Sequence, residues 1–126
     1  MARDLDKNWA ETYSQEALNQ LAAGDTEGAV QSFRNAIVAD PDYFEAHHGL
    51  IRALREAGRL EQSIAAALAL TALTPNDPLA HTALSISLQR AGHIAEAESA
   101  SAKARIMEWK MQLGFTSTSG TAREEH

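Results

Sequence analysis

Gly24, Gly58 and Gly92 follow one another at intervals of 34 residues, and Pro41 and Pro75 are separated by the same interval. A period of that length marks a supersecondary unit copied along the chain, each copy burying its apolar face against the next. The two markers punctuate differently. Glycine reaches the left-handed conformation that ends a helix and turns the chain, whereas proline has no N–H with which to continue a helical ladder. Apolar residues at helical spacing lie between the markers, so the interval predicts a stack of helix–turn–helix units.

In the first copy, Asp4 or Asp6 can cap a helix that carries Leu5, Trp9, Tyr13, Ala17 and Leu21 at intervals of four, widened by Leu18. Gly24-Asp25 closes it, and a second helix with Ala29, Val30, Phe33, Ala36 and Ile37 runs to Asp40-Pro41. Glu16 and Gln20 stand one period before Leu50 and Leu54. Either this helix is rotated, or that side is open to solvent as the end of the stack. The second reading fits the atypical character of terminal repeats.

The second copy opens with Asp42 and Glu45 at capping-box spacing. Its first helix has Ala46, His47, Leu50, Ile51, Ala53, Leu54 and Ala57 on one face, and Glu45, His48, Arg52, Arg55 and Glu56 on the other. Leu50 and Leu54 are expected to be fully buried between the hairpins that flank Pro41. An alanine- and leucine-rich helix from Glu61 to about Leu73 follows, ended by Thr74-Pro75. In the third copy Asp77 caps a helix that has Pro78 in its tolerated first turn, with Ala80, His81, Leu84, Leu88 and Ala91 as packing face. The last helix starts near Ile94. Trp109 occupies the slot of Pro41 and Pro75, so nothing stops this helix before about Leu113, where Gly114 is the expected cap.

The spacing of these residues resembles the tetratricopeptide repeat, whose pattern runs W-x2-L-G-x2-Y, then A-x3-F, then P. The central copy reads His47-x2-Leu50-Ile51-x2-Leu54, then Ser63-x3-Ala67, then Pro75. In the last helix Ala97, Ser101 and Ala104 hold the family slots. The resemblance covers Ala10 to about Met111. It implies an all-α, right-handed superhelical stack of three hairpins with an extended C-terminal helix. The expected division is 1–9 as an extension of the first helix, repeats at 10–43, 44–77 and 78–113, and a disordered tail at 114–126, rich in Ser, Thr, Gly and charge.

Composition narrows the function. Seven glycines against three prolines, with abundant alanine, suit an all-helical chain. A formal net charge of −6 argues against general binding of nucleic acid or an anionic membrane. No cysteine is present, which removes disulfides, thiolate metal sites and a cysteine nucleophile. The first ten residues lack an apolar core, so no signal peptide is visible. No apolar run approaches the ~20 residues of a membrane span, and the expected address is the cytoplasm. Phosphate-loop, zinc-protease and nucleophile-elbow motifs are missing. The chain is therefore read as a non-enzyme without catalytic residues, cofactor or metal.

His47 and His81 occupy equivalent slots and are read as half-buried imidazoles replacing the family's aromatic residue. His48 points about 100° away and cannot easily complete a ligand set. A metal-handling maturation factor is the weakest function considered. More informative is the concave face that the resemblance implies for the first helices. It maps to Glu11, Ser14, Gln15 and Leu18, then Glu45, His48, Arg52, Arg55 and Glu56, then Leu79, Thr82, Ile86, Gln89 and Arg90. Arg52, Arg55 and Arg90 would make one end basic and suited to an acidic segment, the alternative being plain solvated charge. The lysine- and asparagine-rich clamp by which the family's chaperone-binding members hold a C-terminal carboxylate is not matched, because Ser14, Leu18 and Gly49 stand in its places.

A second candidate surface lies at the C-terminal end. Ile106, Trp109 and Leu113 form one line at helical spacing, Met107 and Met111 form another, and Phe115 follows Gly114. Their arc of roughly 200° is more than one neighbouring helix covers. Either Ile106 and Trp109 fold back onto the third hairpin, or another chain covers the surface. The leading expectation is an adaptor or accessory subunit that binds a peptide segment or helix of a larger protein. A self-assembling homo-oligomer joined through the terminal helices is the main alternative.

Overall fold

A computed structural model of the chain describes the backbone of residues 2–124 and the side chains of residues 7–114. Six helices follow one another: α1 Ala2–Ala22, α2 Thr26–Ala39, α3 Phe44–Glu56, α4 Leu60–Leu73, α5 Pro78–Arg90 and α6 Ile94–Glu124. They pair as three antiparallel hairpins, and no strand occurs among the described residues. Gly24, Gly58 and Gly92 have φ of +85°, +79° and +88°. After each glycine the next N–H reaches back to the carbonyl of Gln20, Leu54 or Leu88, at 2.8, 2.9 and 2.8 Å. This left-handed cap satisfies carbonyls that the helix end leaves without partners. Asp25 then caps α2 by accepting the Gly28 N–H at 2.9 Å.

The proline turns start the first helices of the later hairpins. Asp77 caps α5, accepting the Leu79 N–H at 3.0 Å, with Pro78 in the first turn. The N-cap of α3 is not the Asp42 that the capping-box spacing suggests. It is Tyr43, which makes no side-chain capping bond, and the Tyr43 hydroxyl instead donates to Glu45 at 3.1 Å. Asp40 shapes the preceding turn, its carboxylate accepting the Asp42 N–H at 3.1 Å. His47 and His81 each place Nε2 against a proline carbonyl, that of Pro41 at 2.8 Å and that of Pro75 at 3.0 Å. The imidazoles thus tie each first helix to the turn before it.

The core has two parts with α3 between them. Leu54, Ala53 and Ala46 pack with Ala17, Val30 and Phe33 of the first hairpin, and Ile51 packs with Ile64, Leu70, Leu84 and Leu88. Leu54 is buried as expected, but Leu50 is only half-buried, because it lies on the margin of the first cluster. In α1 the buried line is Ala10, Ser14 and Ala17, whereas Trp9 is 56% exposed and Leu18 45%. Small side chains lie where α2 packs, and among the described residues no further helix covers the Glu16 side. Glu16 is exposed and Gln20 half-buried, its carbonyl accepting the Ser32 hydroxyl at 2.7 Å.

The last helix departs from expectation. It does not stop near Leu113 but continues through Gly114 to Glu124. Gly114 is not among the glycines with positive φ, so it supplies no left-handed cap and α-helical backbone carries on through it. Leu5, Phe115 and the rest of the tail expected to be disordered lie outside the residues with described side chains.

Candidate functional site

α1, α3 and α5 stand side by side, α3 packing on both of the others. Between α1 and α3 opens a cavity of about 490 Å³. Glu11, Ser14, Gln15 and Leu18 line it from α1, and Glu45, His48, Gly49 and Arg52 from α3. Thus all four groove residues assigned to the first copy meet three of those assigned to the second. Leu21, Phe33 and Tyr43 complete the lining, and these three were missed. Leu21 and Phe33 read in sequence as core, and Tyr43 as part of a turn. Gly49 carried the available signal, since a glycine inside a helix needs a packing reason. A Cβ at Gly49 would overlap the Phe33 ring.

The cavity exists at this seam for a reason visible in the repeat. One period after Ser14 and Tyr43 come His48 and Asp77, whose side chains approach to 3.9 Å and bridge α3 to the start of α5. Serine is too short to reach across in the same way. Ser14 is only 6% exposed, and its Oγ has no hydrogen-bond partner among the described residues.

Charge divides the groove along α3. At the N-terminal end, burial, the hydrogen bond to Glu45 and the charges of Glu45 and Glu11 push the Tyr43 hydroxyl pKa up to about 12. Both carboxylates therefore act on one spot. At the other end lie Arg52, Arg55 and Arg90. Burial pushes the Arg55 pKa down, Arg90 and Arg52 add to this, and Glu56 opposes it. Arg52 Nε donates to Glu56 at 2.7 Å. His48, between the two ends, has its pKa lowered by burial and by His47, against the pull of Asp77. On α5, Thr82 and Ile86 are half-buried, while Leu79, Gln89 and Arg90 are exposed.

The C-terminal surface is open. Ile106, Trp109, Met111 and Leu113 are 50%, 60%, 58% and 41% exposed, and Met107 is half-buried. Ile106 and Trp109 do not fold back onto the third hairpin. Among the described residues no group of three His, Asp or Glu side chains could hold a metal ion. No helix among them is long and apolar enough to cross a membrane.

The fold is similar to several solved structures. MamA (MSR-1) matches with a TM-score of 0.71 at 22% identity, over 81% of this chain and 59% of that one. A chain of the CopN–Scc3 complex matches at 0.69 and 20% identity, over 78% and 58%. The chain thus spans less than two thirds of the length of those relatives. The type III secretion translocator chaperone SycD of Yersinia enterocolitica, crystallised as an alternative dimer, matches at 0.72 and 20% identity, over 94% and 96%. No curated protein sequence matches significantly. The family model Tetratricopeptide repeat matches residues 20–86, from the last turn of α1 into α5. Because that match takes in more than half of the chain, and the hairpins repeat at the interval the family requires, this chain belongs to the tetratricopeptide repeat family.

Proposed function

We propose that the chain is a non-catalytic adaptor or accessory subunit that holds a segment of a larger protein partner in the groove of α1, α3 and α5. The observation that carries this reading is the cavity between α1 and α3, whose lining joins apolar Leu18, Leu21 and Phe33 to charged and polar side chains. Ligand sites combine a mainly apolar lining with a few polar groups that orient the ligand. The similarity to SycD, a chaperone, and to a chain of the CopN–Scc3 complex supports a role in protein binding. At the basic end, Arg52, Arg55 and Arg90 would take carboxylates. Fluorescence anisotropy with a labelled glutamate-rich peptide tests this. Arg52→Glu with Arg55→Glu should weaken binding tenfold or more with unchanged helicity, and added salt should weaken it too, since exposed charges are screened over ~8 Å at physiological ionic strength. Equal binding by the double variant would overturn the assignment.

The open line of Ile106, Trp109, Met111 and Leu113 favours a second reading, assembly with another copy through α6. Large exposed apolar patches are uncommon on monomers, and Trp and Met are enriched at interfaces. Light scattering over a dilution series should show an oligomer that Trp109→Ala with Met111→Ala dissociates without loss of helicity. A monomer at every concentration would exclude it.

A further inference from the structure

The acidic end of the groove carries an inference that rests on the groove reading and goes further. Glu11 and Glu45 project from two different helices into one cavity, and no ion pair among the described residues engages either. Arg52, the arginine of the lining, is engaged by Glu56. Carboxylates alone would be solvated surface charge. Ser14 changes that reading: it is buried, its Oγ has no partner among the described residues, and it lines the same cavity. A buried hydroxyl left without a hydrogen bond costs stability unless something satisfies it. Leu21 and Phe33 add apolar surface to the same lining. Apolar lining shared with two carboxylates and an acceptor hydroxyl fits a long side chain with an apolar stem and a cationic tip.

We propose that the pocket of Glu11, Ser14 and Glu45 takes a lysine or arginine side chain of the bound segment, so that the ligand is bipolar: a basic residue at this end and acidic residues at the Arg52–Arg55 end. Its spacing follows from α3. Glu45 precedes Arg52 by seven residues and Arg55 by ten, which is ~10–15 Å along a helix rising 1.5 Å per residue. An extended ligand advances ~3.3 Å per residue. The basic and acidic positions of the ligand are therefore about three to five residues apart.

The test uses the full chain and labelled, N-acetylated peptides, so that only a side chain supplies the cation. One peptide carries lysine four residues from a pair of glutamates, a second has the reversed order, and in controls norleucine replaces lysine. A lysine peptide in one of the two orders should bind about tenfold more tightly than its norleucine control, the worth of one charge-assisted hydrogen bond. Glu11→Gln with Glu45→Gln should remove that advantage with helicity unchanged, because both residues are exposed. Equal binding of lysine and norleucine peptides in both orders would overturn the bipolar ligand and leave the arginine end standing. Failure of every peptide to bind would overturn the groove reading and this inference with it.

Discussion

At the seam between the first two hairpins, Ala29 and Ala53 are fully buried, the Phe33 ring lies against Gly49, and Arg59 pairs with Glu27. One period later the same slots hold Ser63 and Ser87, Ala67 and Ala83, and His93 at 3.5 Å from Glu61. The second seam replaces a large ring with hydroxyl chemistry. Ser63 Oγ donates to the Ile51 carbonyl at 3.1 Å and lies 2.6 Å from Ser87 Oγ, both residues fully buried. The backbone period is thus met by two different packing solutions. A ring filling the space above a glycine depends on shape, whereas a buried hydroxyl pair depends on register. Displacing the second seam by one residue would leave two hydroxyls without partners.

The largest expected effect comes from emptying the first seam. Phe33→Ala should cost about 3–5 kcal/mol, as for other buried aromatic truncations. Ala67→Gly at the equivalent slot should cost only about 1 kcal/mol, mainly from helix propensity. Urea unfolding of the two variants measures the contrast, and similar losses would show that the seams do not differ in what fills them.

Next in size is the hydroxyl pair. Ser63→Ala strands the Ser87 hydroxyl in the core and should cost about 1–3 kcal/mol. Ser87→Ala should cost less, because Ser63 keeps the Ile51 carbonyl. The double variant reproduces the alanine pair of the first seam, so its loss should fall well short of the sum. A double-mutant cycle reads this coupling directly, and strictly additive losses would contradict it.

The smallest expected effect is on pH dependence. His48 bridges α3 to Asp77, and burial lowers its pKa from the ordinary 6.5. As pH falls from 6.5 towards the depressed folded value, the unfolded chain binds a proton that the folded chain does not. Stability contributed by neutral His48 is therefore present above 6.5 and lost through that window. His48→Gln should flatten this part of the profile in thermal unfolding at stepped pH. Its first-seam counterpart, Ser14, has nothing to titrate, so Ser14→Ala should leave the profile unchanged.

Legibility in sequence follows the same division. Each glycine that the period singled out adopts positive φ, and the Pro78 and Asp77 start of α5 is met in detail. These depend on residues within one turn of each other, and local chemistry settles them. The groove was partly legible: the first-helix positions that meet in the cavity follow from the repeat. Tyr43, Leu21 and Phe33 did not, because each reaches the cavity from a turn or from a core face. Their exposure depends on what the neighbouring helix leaves open.

By itself, the sequence determined six helices, three hairpins, the hinge residues between them and the family. A glycine, a proline or a capping aspartate acts on its own backbone, and the 34-residue interval copies that action along the chain. Only the tertiary structure decided which side of α1 is buried, that Leu50 is marginal while Ile51 is central, and that Ser14 is stranded beside two carboxylates. Burial is a property of the space between elements. The same helical stripe can face core, cavity or solvent according to whether a hairpin precedes it, and at α1 none among the described residues does.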